Sequence, residues 1–211
     1  FWLSVFFWWN VWNRYSSVDL TKVIDYSSVN FAGEPVSFEW KYIFNREKFE
    51  RELSITRYNI YQFVLYHRRA PVYFPYIEKK LQEAGVPDDF KYLAVAESGL
   101  NNDALSSASA GWIWQFVPGT AKQFGLVVND QVDERFHFEK ATDAAIAYFK
   151  KLYEDFHDWT LVAAAYNRWE NGLRRALDDQ KVTSYYDLYF NNETTRYVFR
   201  ILAIKYIMMH R

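Results

Sequence analysis

The chain has 211 residues with 25 basic against 26 acidic side chains, a net charge of -1, four His and no Cys. That length is enough to bury a full core in one domain with a small appendage, while the charge balance offers no basic field to hold nucleic acid or an anionic membrane. The missing cysteines exclude disulfides, thiolate metal ligands and a cysteine nucleophile. Aromatic residues make up 21%, including nine Trp, but only seven Gly occur, below the average usage of ~7%. An excess of rings suits either a carbohydrate groove or a lipid-facing surface.

Phe1 to Trp12 is almost wholly apolar and aromatic, yet it falls short of the ~20 apolar residues a spanning helix needs. It reads as a packing or partner contact, the end of an anchor, or a signal remnant, and with no initiator Met the chain is expected to begin after something removed or unseen. Residues 13 to 45 mix Ser, Asn, Asp and β-branched residues around a Gly33-Glu34-Pro35 turn, the pattern of an extended strap with a short strand or two. We therefore divide the chain at 45, with a helical domain over 46 to 211. Phe49, Leu53, Tyr58, Tyr61, Val64 and Leu65 follow helical spacing from Arg46 to Arg69, with Pro71 expected to end the run. A second helix, Tyr73 to Ala84, stops at Gly85. Pro87, Asp88 and Asp89 then read as approach and N-cap of a short helix, Phe90 to Ser98, closed by Gly99. Further helices are expected over Pro118 to Phe124, Glu139 to Phe156, Thr160 to Tyr166 and Glu193 to Met209. His137, in the polar loop before the expected helix Glu139 to Phe156, has no second ligand at metal spacing and reads as a surface residue.

Phe90, Leu93, Ala94 and Glu97 fall at i, i+3, i+4 and i+7, so Glu97 lies on the stripe that packs inward. Desolvation disfavours a charged carboxyl, and this is how a glutamic acid becomes a general acid near neutral pH. The same position also suits a structural Glu, paired with an Arg or held by hydrogen bonds.

The order Glu97-Ser98, Ser106, Ala110, Trp114-Gln115-Phe116 and Pro118-Gly119-Thr120-Ala121 resembles the first two motifs of the lysozyme-like lytic transglycosylases, which cleave bacterial peptidoglycan. Ala165-Tyr166-Asn167 is similar to their A-Y-N motif, and Glu193-Thr194 with Tyr197-Val198 to their last, E-T-x-x-Y-V. The likeness covers roughly residues 70 to 205, is nearest to the membrane-bound type D branch, and leaves residues 1 to 45 untouched. It implies a mainly α, goose-type/SLT lysozyme-like domain carrying an N-terminal strap, active on glycan strands in the periplasm or cell envelope and associated with the membrane. It further implies that Glu97 acts as acid and then as base, without a second carboxylate and without a cofactor or metal. By matching position, Ser98, Ser106 and Gln115 would bind sugar near the acid, Tyr166 and Asn167 would line the groove, and Tyr197 would hydrogen-bond Glu97. Residue by residue, Tyr166 and Tyr197 also fit core tyrosines, Ser106 a loop cap and Asp103 a turn. Two rival readings remain: a non-catalytic peptidoglycan-binding scaffold of an envelope complex, and a hydrolytic lysozyme of the same fold. Residues 1 to 12 are expected to touch a membrane or another envelope protein.

The sequence departs from the family pattern at customary glycines, with Trp112, Ser109, His157 and Trp169 near those places. Glycine supplies positive φ and room for a ligand, so Trp112 and Trp169 are expected to narrow or cap the groove.

Overall fold

The computed structural model describes residues 24–39, 42–101, 112–168, 170–189 and 192–210, with side chains from 195 onward in the last stretch. Residues 1 to 12, Asp103, Ser106, Ser109 and Trp169, and the side chains of Glu193 and Thr194, lie outside what is described. Among the described residues eight α-helices carry the fold: α1 Ile43–Tyr58, α2 Ile60–Ala84, α3 Phe90–Ser98, α4 Pro118–Gln123, α5 Phe138–Phe156, α6 Trp159–Arg168, α7 Glu170–Gln180 and α8 Asn192–Met209. Helix α8 packs against α1, α3 and α6, and α5 lies between α2 and α6. None of the described helices is long and apolar enough to cross a membrane.

The strap is built into this body. Its hairpin pairs Phe31 with Glu34 across a two-residue turn in which Ala32 and Gly33 both have positive φ, 55° and 80°, the handedness that matches strand twist. Phe31 is fully buried against Phe90 at 5.3 Å between ring centroids. Glu34 reaches α6, where its carboxylate accepts from Trp159 N and Thr160 N at 2.8 Å and from Thr160 Oγ1 at 2.7 Å. Those are orphan donors at the positive end of a helix, so a carboxylate is the favoured partner.

Two expectations are corrected in the first half of the chain. Pro71 does not end a helix: the break comes at Asn59, whose side chain accepts from Gln62 N, and Pro71 and Pro75 both lie inside α2. Spaced i, i+4, they put their lost hydrogen bonds on one side of the helix. Both prolines are exposed, so water can satisfy the carbonyls they free, which lowers the usual penalty. Nor does Asp88 cap α3. Its carboxylate pairs with Lys91, and Asp89, the residue at the cap, makes no capping bond. Instead Asp89 ties the strap and α8 together, accepting from Ala32 N at 2.6 Å and from Lys205 Nζ at 2.7 Å.

Helix α3 sits at the centre. Phe90, Leu93 and Ala94 are fully buried, and burying the two larger side chains contributes about 1.5–3 kcal/mol each. Gly99 ends the helix at φ 64°, its N–H bonded to Val95 O. A Cβ there would come within 3.0 Å of Tyr66, so only glycine serves both the turn and the contact with α2.

Candidate active site

Glu97 stands on the last turn of α3, half-buried and facing a cavity of about 120 Å³. The cavity is also lined by Gln115, Phe116, Val117, Thr120, Tyr148, Tyr166 and Asn167. Three segments distant in sequence thus converge on one carboxylate.

Behind Glu97, Tyr197 on α8 is 1% exposed and donates its hydroxyl hydrogen bond to Glu97 Oε1. Burial pushes the Tyr197 hydroxyl well above its ordinary range, and the Glu97 charge and hydrogen bond push it further. It therefore stays a donor throughout the physiological range. Tyr166, from the end of α6, is raised the same way, by desolvation first and then by Glu97. Its hydroxyl donates to Trp114 O at 2.6 Å, which fastens the A-Y-N segment to the loop after α3.

That loop is shaped by strain. Trp112 and Gln115 take φ 74° and 50°, left-handed values that cost a non-glycine residue about 1–2 kcal/mol. Several bonds hold it in place. Ser98 Oγ lies 3.1 Å from Ile113 O, Gln115 Nε2 donates to Trp112 O at 2.8 Å, and Trp114 Nε1 donates to Thr142 Oγ1 at 3.0 Å. Arg135, 5% exposed, donates to Phe116 O at 2.9 Å while bound to the Asp133 carboxylate. The helix after this loop, α4, starts with Pro at its first turn, where a missing N–H costs nothing.

The expected site residues separate into three groups. Glu97, Gln115, Tyr166 and Asn167 share the cavity wall. Tyr197 and Ser98 stand behind it, the first bonded to Glu97 and the second to the loop backbone, while Ser106 lies outside the described residues. Tyr148, Val117 and Thr120 also line the cavity and were not expected there. Tyr148 follows Ala144 and Ala145 on the apolar side of α5, and nothing in that spacing separates a groove residue from a core one. The Trp112 indole is turned edge-on to Phe136 at 4.4 Å between centroids and is absent from the described cavity wall. The expected narrowing by Trp112 is therefore not seen at the described cavity wall, where the indole packs on Phe136 instead.

His137 is exposed and sits 3.1 Å from Glu139. Among the described residues no group of three His, Asp or Glu could hold a metal ion.

The chain is 31% identical over 145 residues to membrane-bound lytic murein transglycosylase D of Escherichia coli (strain K12), an overlap of 66% of this chain and 32% of the relative. It thus spans about a third of that relative's length. A putative tributyltin chloride resistance protein of Alteromonas sp. (strain M-1) is 30% identical over 114 residues, 54% of this chain and 55% of the relative. Among solved structures, an inactive mutant of lytic transglycosylase Slt from Pseudomonas aeruginosa superposes with a TM-score of 0.52 at 22% identity, over 62% of this chain and 23% of the other. That last likeness concerns the fold. The Transglycosylase SLT domain matches residues 74–188, the span that holds Glu97, Gln115, Tyr166 and Asn167, and the chain belongs to that family.

Proposed function

We propose that the protein is a peptidoglycan lytic transglycosylase, cleaving the β-1,4 bond between N-acetylmuramic acid and N-acetylglucosamine. The observation that carries this reading is the setting of Glu97, a carboxyl group on a half-buried cavity wall, held from behind by a buried tyrosine donor. In the first step Glu97 gives its proton to the glycosidic oxygen, and the bond from muramyl C1 to that oxygen breaks. The muramyl 6-hydroxyl then closes on C1 and returns its proton to Glu97. No water is consumed, the acid is restored, and the product is a 1,6-anhydromuramyl end. Glycosidases that use water place two carboxyl groups across the bond. Here Glu97 is the carboxylate among the described residues that line the cavity.

Gln115 and Asn167 offer amide donors and acceptors to the sugar, and Tyr148, Tyr166 and Phe116 offer ring faces on which pyranose C–H groups can pack. Ser106 belongs beside them by motif position. The proposed place of action is the cell envelope, with residues 1 to 12 as the contact to a membrane or an envelope protein. No cofactor enters the steps.

Mass spectrometry of a sacculus digest tests the reading. Release of 1,6-anhydromuropeptides, undiminished in EDTA, is expected. Products with only reducing ends would make the protein a hydrolase, and binding to sacculi without release would make it a scaffold.

A further inference from the structure

The loop after α3 is gripped at every second residue from Trp112 to Phe116. The Trp112 ring packs on Phe136 at 4.4 Å between centroids, Trp114 is tied to Thr142 and Tyr166, and Phe116 O accepts from Arg135 Nη1 at 2.9 Å. Gln115, which reaches the cavity, stands between the last two grips at φ 50°. A left-handed backbone at a non-glycine residue persists only where its surroundings hold it. Two of the three grips come from one place, the turn Glu134–Phe136 between α4 and α5.

Arg135 is 5% exposed and is not among the residues that line the described cavity wall. Its Nε and Nη2 donate to the Asp133 carboxylate at 2.9 and 2.6 Å, a two-point contact that fixes the plane of the guanidinium. With that plane fixed, Nη1 meets Phe116 O. Asp133 is itself anchored by backbone, through its bridge to Val128 and through Glu134 N, which donates to Val127 O at 2.8 Å. Phe116 O belongs to the peptide unit shared with Val117, and both residues lie on the cavity wall directly after Gln115. A charged donor taken out of water is a costly way to satisfy one carbonyl, whereas its rigid fork is well suited to orienting one.

We propose that Arg135 is a positioning residue for the glycan cleavage: oriented by Asp133, it holds the Phe116–Val117 peptide so that the Gln115 amide stays aimed at the bound sugar. The inference rests on the cleavage reading above. Arg135 touches no sugar, and it acts through Gln115 rather than through the hydrogen bond from Tyr197 to Glu97.

A mutant cycle tests it. Arg135→Lys keeps a positive charge beside Asp133 but loses the fork, since a single ammonium cannot grip the carboxylate at two points and reach the carbonyl as well. Its kcat/KM for release of 1,6-anhydromuropeptides should fall about tenfold, with the pH profile of the activity unmoved because Glu97 and Tyr197 are untouched. With Gln115→Ala already in place, the same substitution should cost about twofold or less, because effects that pass through one residue do not add. Losses of equal size in both backgrounds would make Arg135 merely structural, no loss in the first would remove it from the reaction, and a moved pH profile would place its effect on Glu97; each overturns the proposal. Should a thermal melt show Arg135→Lys to be unfolded, Asp133→Asn loosens the aim with Arg135 in place and goes through the same cycle, with the same results counting against the proposal. If the unmodified protein sediments with sacculi but releases nothing, the cleavage reading fails. The cycle is then read as sacculus affinity, where a loss that depends on Gln115 supports the role of Arg135 and one that does not refutes it.

Discussion

Tyr197→Phe removes one oxygen and leaves the ring in place, so it isolates the hydrogen bond to Glu97. The ring is 1% exposed, and Phe fills the same space, so packing changes little. What is lost is a neutral donor to a carboxyl group, an interaction of about 1.5–3 kcal/mol when one partner is charged. Glu97 is only half-buried and opens on a cavity, so water can replace part of that bond and the lower end of the range applies. At about 1.4 kcal/mol per factor of ten, the variant should lose about tenfold in kcat on sacculi. KM should stay within about twofold, because Tyr197 stands behind Glu97 and off the described cavity wall. Steady-state release of soluble muropeptides measures both. An unchanged kcat would show that the tyrosine is structural and that Glu97 is positioned by something else.

His157→Gly should stabilise the fold: His157 ends α5 at φ 51°, and relief of about 1–2 kcal/mol of left-handed strain exceeds the entropy glycine adds, about 0.5–1 kcal/mol. A thermal melt should rise by about 1–4 °C, and a fall would contradict the strain argument. Glu34→Gln weakens the three bonds to the start of α6 and should cost about 1–2 kcal/mol. The melt should drop by about 2–8 °C, whereas no change would show the strap to be dispensable. Tyr185, Tyr186 and Tyr197 are all buried and all raised in the folded state, with desolvation the first cause. A raised folded value means the native state keeps a proton that the unfolded chain releases near pH ~10, so stability is whole below that pH and is lost above it. Ultraviolet titration should show the exposed tyrosines ionising first and these three only with unfolding. Smooth ionisation of all of them before unfolding would refute their burial.

Much of the site could be read from residue spacing. The stripe Phe90, Leu93, Ala94, Glu97 with Gly99 as stop placed the carboxylate on a short helix that points it inward, and the short Ala-rich helix delivered Tyr166 and Asn167. Trp112 and His157, where the resemblance leads one to expect glycine, both have positive φ, the backbone conformation glycine favours. Other features needed tertiary information. Pro71 read as a helix stop, and only the exposure of Pro71 and Pro75 makes both tolerable within α2. Helix α7 went unread because Asn171-Gly172 looks like a turn, although Leu173, Ala176 and Leu177 follow at helical spacing. Its place is secured by charges no local pattern shows, Lys151 of α5 pairing with Glu170. The contact of the Trp112 indole with Phe136 is likewise tertiary.

Glu97→Gln tests the central claim most directly, because it keeps the shape and the hydrogen bonding capacity of the side chain and removes only the transferable proton. Unmodified protein and variant should sediment equally with sacculi, while 1,6-anhydromuropeptides in the supernatant, counted by mass spectrometry, should fall by at least a thousandfold in the variant. Anhydro products released by Glu97→Gln at near the original rate would contradict the account, since the proton would then come from another group.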